Sequence, residues 1–263
     1  HISFLHATTL AMMIPRGFQK PIGRPRISLS GGRALYVGPG LNLAPHRNLA
    51  ATLAFALETP FRLRIWDGIE IAACVALIPP STRHHLVAAG PMAFLYLDAM
   101  SDDYAAVQDT NLDTAKFPSD PETLNADRLC RSLGVPARPP PDARIAAVVR
   151  EIDSAPQRFS KVAQAAKRAG LSAPRFQNLF RQTTGMAFRR YRLWRRMAMA
   201  MHWVAQGSSL TSAAMDSGFS SSAHLSATFK DVFGIAPSLL VALGPQFELD
   251  HATSDSLPLN ALV

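Results

Sequence analysis

The segment from Gly170 to Gly185 recurs in altered form from Gly218 to Gly234. Gly170 and Gly218 are 48 positions apart, as are Ala165 and Ala213, whereas Phe180 and Phe229, like Gly185 and Gly234, are 49 apart. A duplication at that distance, with one residue inserted in the second copy, restricts this part of the chain to two like units. Each reads as a short helix, a tight turn and a second helix, the layout with which small domains set a helix into the DNA major groove. In the first copy Val162, Ala165, Ala166 and Ala169 make one apolar stripe over Lys161 to Ala169, with Ser160 as the expected N-cap and Gly170 as the stop. Ser172 is placed to cap the next helix, whose Phe176, Leu179, Phe180 and Thr183 turn inward while Ala173, Pro174, Gln177, Asn178 and Arg181 turn out. In the second copy Ser209 or Thr211 opens a helix along Leu210, Ala213, Ala214 and Ser217. Ser220 or Ser221 caps its successor, in which Leu225, Thr228 or Phe229, and Val232 or Phe233 turn inward.

Between the copies, Ala187 to Gln206 contains neither Gly nor Pro and repeats Leu193, Met197, Ala200, Met201 and Val204 at helical spacing. A continuous helix of that length spans roughly 30 Å. One turn of B-DNA separates successive major-groove faces by about 34 Å, so the helix suits two readers on one side of a duplex. Charge agrees. From Pro156 to Leu240 there are 12 Lys and Arg against two Asp, whereas His1 to Asp142 carries 13 basic and 12 acidic residues. A basic half beside a neutral half predicts a polyanionic partner, because neutralised phosphates release condensed counterions.

At these residues the chain resembles the arabinose-operon regulator (AraC) family of bacterial transcription regulators. The resemblance rests on the two helix-turn-helix units, the long connecting helix, and the ending from Phe229 to Ser238, which is similar to that family's C-terminal signature. It is strong over about 95 residues. Upstream, Ala34 to Gly40 and Leu77 to His85 are similar, with less specificity, to the cupin-like effector domains of some members. By position, the resemblance implies base readout at Pro174, Gln177 and Asn178 in the first unit and at Ala223, His224 and Ala227 in the second. It implies phosphate contacts near Ser172, Arg181, Ser221, Thr228 and Lys230, with Arg196 on the connecting helix as an addition. Several relatives carry arginine where Asn178 and Ala227 stand, and arginine makes the commonest bidentate contact to guanine. Gln177 and Asn178 suit adenine instead, while the alanines offer little beyond contact with a thymine methyl. The second unit is therefore expected to read weakly, through His224, its serines and DNA shape.

The first half is of another kind. Ala34 to Val37, Ala51 to Leu57, Phe61 to Trp66, Ile69 to Ile78 and Met92 to Leu97 are short apolar or alternating runs between Gly, Pro and Asp/Asn positions, the pattern of a small sandwich or barrel. Asp98 to Leu133 is more polar and supplies flanking helices, with Leu124, Leu129 and Leu133 as a stripe; in relatives such helices pair two subunits. The expected organisation is an α+β two-domain chain. A cupin-like effector and dimerisation domain spans 1–135, a Pro-rich linker 136–142, an all-α DNA-binding domain 143–243, and a loosely ordered tail 244–263.

A metal-dependent cupin enzyme is the alternative for the first half, but the His-X-His pair such sites use is broken. His46 is followed by Arg47 and Asn48, and His84 and His85 are adjacent, so they point to opposite faces of a strand. An effector pocket lined or closed by His46, Arg47, Arg64, Trp66 and His84 is expected instead, with no metal, no cofactor and no catalysis. Cys74 and Cys130 form no Cys-X-X-Cys and suit a reducing cytoplasm. No apolar run approaches the ~20 residues of a membrane span, and the apolar opening His1 to Ile14 lacks a basic leading region or clear cleavage site. The expectation is a cytoplasmic, sequence-specific transcription regulator that binds double-stranded promoter DNA. A small-molecule effector, a homodimer and, for an activator, RNA polymerase are its further partners. A nucleoid protein that coats DNA without sequence preference is the other alternative.

Overall fold

The computed structural model describes residues 24–30, 32–65, 68, 70–112, 123–138 and 140–249. The first half folds into two sheets. The larger has the order β6-β3-β8-β2-β1-β9 and the smaller β5-β4-β7. The strands are β1 (Arg26–Ser30), β2 (Arg33–Gly38), β3 (Ala51–Ala56), β4 (Phe61–Ile65), β5 (Glu70–Ala73), β6 (Val75–Ile78), β7 (His84–Val87), β8 (Met92–Leu97) and β9 (Gln246–Leu249). The expected run Ile69 to Ile78 is thus two strands. At Cys74 the chain leaves the small sheet, where β5 pairs with β4, and enters the large one, where β6 pairs with β3.

Alternation decides what covers each face of the large sheet. Leu35, Val37, Leu53, Phe55, Leu95 and Leu97 point to one side, where they pack with Tyr104 and Val107 of α1 (Asp102–Gln108) and with Leu129 and Cys130 of α2 (Ala126–Ser132). Leu124 and Leu133 join that core, as their stripe predicts. Ala34, Tyr36, Ala54, Phe94 and Tyr96 point to the other side, into a core shared with Phe61, Leu63 and Leu86 of the small sheet. Strands buried on both faces explain the continuous apolar runs at Ala51 to Leu57 and Met92 to Leu97.

The second half is helical: α3 (Ala143–Ser154), α4 (Val162–Arg168), α5 (Ala173–Thr184), α6 (Phe188–Ala205), α7 (Leu210–Asp216), α8 (Ser222–Phe233) and α9 (Pro237–Ala242). Its core is continuous with that of the sheets. Phe233 meets Tyr96 edge-on at 5.2 Å between ring centroids and Trp194 at 5.3 Å. The chain then returns to the sheets, since β9 pairs in parallel with β1. Gly244 to Val263 was expected to be a loose tail; Gln246–Leu249 is instead a strand, because Phe247 has an apolar neighbourhood to enter and β1 offers unpaired backbone groups along its edge. Residues 250–263 lie outside the described residues. Among the described residues, no helix is long and apolar enough to cross a membrane.

Candidate nucleic-acid interface

The two units form as the repeat predicts, α4-turn-α5 and α7-turn-α8, with α6 between them. α6 has 18 residues, about 27 Å of helix. Both outer helices end on a glycine in the left-handed region, Gly185 at φ 72° and Gly234 at φ 75°, whose N–H groups return to the Arg181 and Lys230 carbonyls. An L side chain is strained in that conformation, which gives the matched glycines of the repeat their physical reason. Phe176 and Phe180 of α5 are buried and meet edge-on with Phe188, and Phe180 also with Tyr191. Leu225, Phe229, Val232 and Phe233 do the same work for α8.

Capping differs in detail from the expectation. Ser160 lies before the α4 N-cap, Lys161; the Gln164 side chain accepts from the Lys161 N–H and from the Ser160 hydroxyl. Ser172 is the N-cap residue of α5 but makes no side-chain cap bond, whereas the Ser221 Oγ accepts from the His224 N–H.

Pro174, Gln177 and Asn178 are exposed on α5, and Ala223, His224 and Ala227 on α8. The His224 ring leans edge-on against Phe219 and shares a 2.9 Å hydrogen bond between its Nδ1 and the Ser220 Oγ, so it is oriented from below and open above. Among the phosphate candidates, Ser172 and Lys230 are exposed, and Ser221 and Thr228 half-buried.

The arginine run of α6 mostly faces the protein. Arg190 pairs with Asp98 at 2.6 Å, Arg192 donates to the Pro156 carbonyl at 3.2 Å, and Arg195 is buried against Asp153 at 2.8 Å. Arg196 donates its Nε to the Ser217 carbonyl at 2.9 Å and an Nη to the Gly218 carbonyl, with its guanidinium 4.2 Å above the Phe219 ring. Burial draws the pKa values of Arg192 and Arg196 below the ordinary arginine value, and the neighbouring Arg196 charge adds to the effect on Arg192. Arg196 thus holds the end of α7 in place. Arg181 is exposed but paired with Asp102.

Residues 165–241 match the family model for a helix-turn-helix domain. That is the region of the repeat, the spacer helix and the C-terminal signature. It is a helix-turn-helix domain of the AraC type. With this AraC-type domain the chain is a DNA-binding transcription regulator. No match was found among curated proteins. Of the solved structures similar to the chain, ToxT from Vibrio cholerae is 11% identical, covering 81% of this chain and 98% of that one at a TM-score of 0.44. The DNA-binding domain of AdpA, a global transcriptional factor solved with a target DNA, is 26% identical, covering 38% and 92% at a TM-score of 0.36. The C-terminal domain of AraT, a response regulator from Geobacillus stearothermophilus, is 17% identical, covering 37% and 83% at 0.34.

The expected effector residues do not converge. Arg64 lies on the outer face of the small sheet, paired with Glu70 at 2.6 Å; Arg47 is exposed; Trp66 lies outside the described residues. Only His46 and His84 come together, through an isolated bridge that sets their rings 4.5 Å apart, and His46 lies against the end of α8. The amides of Leu49 and Ala50 donate to the carbonyls of Asp231 and Val232 near the end of α8, and a Cβ on Gly234 would run into the His46 ring. Among the described residues, no three of His, Cys, Asp and Glu group where they would hold a metal ion.

An apolar cleft lies elsewhere, between the large sheet and the AraC-type domain. Ile27, Leu29, Tyr36 and Tyr96 supply one wall, Met201, Phe229, Phe233 and Leu240 the other, and Phe247 of β9 joins them. Sequence reasoning missed it because its two walls stand more than a hundred residues apart. It likewise missed Asp98, Asp102 and Asp103, which look like the polar start of a surface helix and in fact receive Arg190, Arg181 and Arg138.

Proposed function

We propose that the regulator reads sequence through Gln177 and Asn178 of α5, with α8 anchoring and positioning through Ser221, His224 and Lys230, and that a small apolar effector entering the cleft between the halves controls it. The observation that carries this reading is the pair of alike, glycine-terminated outer helices, one with amide side chains outward and one with small side chains outward. Amides pair bidentately with adenine, whereas Ala223 and Ala227 bring no hydrogen-bonding group to a base. We read the chain as a regulator without catalysis, its sensing part ending near the prolines before Asp142 and its reader beginning with α3.

The cleft supports the effector reading by its chemistry and its size. Its walls are almost wholly apolar, and as it stands it offers about 30 Å³, room for about two waters. A molecule of effector size enters only if the walls part. Such a ligand binds the parted arrangement better than the closed one, the differential affinity that control requires. Footprinting with a salt titration tests the DNA reading: a protected region about two turns long, with affinity falling as salt rises, is expected. No protected region, or salt-independent affinity, overturns it. For the effector, widening the cleft by Phe247→Ala should increase uptake of an environment-sensitive apolar dye, and unchanged uptake argues against entry there.

A further inference from the structure

The end of α5 sits in a socket built by the first half. The Asp102 N–H donates to the Gly185 carbonyl at 2.9 Å, closing the last turn of the helix from outside. The Arg138 guanidinium lies against Gly185, where any side chain would collide with it, and is itself held by Asp103 at 2.7 Å. Asp103 also receives the Arg33 Nε at 2.8 Å. Nearby, Asp98 is fully buried and takes three donors: Arg190, the Trp194 indole N–H at 2.7 Å and the Met100 N–H at 2.9 Å. These contacts fix where Asp102 stands. Its Oδ1 accepts from the Arg181 Nη2 at 2.6 Å and Nε at 3.2 Å, with the two side chains 52% and 53% exposed.

We propose that Asp102 stands in for a DNA phosphate on Arg181, so that the acidic corner of the sensing half competes with DNA for the first reader. The inference rests on the reading of Arg181 as a phosphate contact. A guanidinium donates to a carboxylate and to a phosphate through the same pair of N–H groups and does not serve both at full strength. Because this pair is open to water, it exchanges readily; Asp98, buried and triply bonded, keeps the rival carboxylate in place while it does.

The test is a double-mutant cycle on the full chain with mixed-sequence duplex DNA, measuring Kd against salt for wild type, Asp102→Asn, Arg181→Ala and the pair. The exposed, isosteric Asp102→Asn keeps the backbone contact to Gly185. It should bind about 2- to 5-fold tighter at low salt, the range of an exposed ion pair, with a salt slope steeper by about one ion. In the Arg181→Ala background the same substitution should change nothing. An unchanged or weaker affinity for Asp102→Asn overturns the inference, and so does an equal gain without Arg181, which would make the effect general repulsion from the duplex. Absence of salt-dependent binding by all four proteins overturns the DNA reading itself, and this inference with it.

Discussion

Arg196 and Gln177 illustrate how differently two polar residues of one domain depend on their surroundings. Arg196 bonds two carbonyls at the end of α7 and covers Phe219. Charge-assisted hydrogen bonds of this kind contribute about 2 kcal/mol. Arg196→Ala should therefore lower stability by about that amount in denaturant unfolding and leave the salt slope of DNA binding unchanged; a slope shallower by about one ion would return it to the phosphate class. Gln177 and Asn178 are exposed on α5, on the face away from the buried Phe176 and Phe180. Replacing either with Ala should cost roughly 1 to 3 kcal/mol at one or two base pairs and leave unfolding unaltered. An equal loss on every sequence would assign that residue to phosphate instead. The reader's outer face was legible in the sequence because helical periodicity alone separates Gln177 and Asn178 from Phe176 and Phe180. The roles of the α6 arginines were not, because their partners, Asp98, Asp153 and the Ser217 carbonyl, are fixed by tertiary packing across 21 to 92 positions.

At the scale of elements, the strands that sequence patterning finds are those that fall in the apolar or alternating runs it marks: β2, β3, β4, β5, β6 and β8. Three escape it. β1 and β9 offer only two apolar positions each, Ile27 and Leu29 in one and Phe247 and Leu249 in the other, an alternation too short to stand out, and β7 has only Leu86 and Val87 after its two histidines. β9 matters most, since it ties the reader to the sheet by pairing Arg26 to Leu29 with Gln246 to Leu249 and brings Phe247 to the cleft. A chain ending at Pro245 leaves the outer edge of β1 unpaired. Hydrogen exchange should then show lost protection for amides of Arg26 to Leu29 and little change in β3 or β8, which lie inside the sheet. Unaltered protection in β1 would mean that β2 alone holds it.

For the whole molecule, the neutral half and the basic half suggest two separate cores, whereas one continuous core joins them, with His46 and His84 at the seam. Each ring binds a backbone carbonyl through Nδ1 at 2.9 Å, His46 to Ala44 and His84 to Thr82. His84 is 3% exposed; burial, followed by the nearby His46 and His85 charges, outweighs its carbonyl bond and brings its pKa down to about 4. His46 is lowered as well, by burial and then by His85 and Lys230, against the raising effect of the Ala44 carbonyl. The charges that act on the two rings are thus those of histidines and Lys230, and the exposed Asp231 follows Lys230 on α8. The unfolded chain takes up these protons first, so the contribution to stability is complete above pH ~6.5 and is lost as pH falls towards 4, on the order of 3 kcal/mol for His84. Acid should loosen the seam between sheet and reader. Unfolding free energy measured from pH 7.5 to 4.5 should fall steeply below about 6.5 in the wild type and less in His84→Asn, whose amide N–H can still bond the Thr82 carbonyl. Parallel curves for the two proteins would place the acid sensitivity in groups away from this seam.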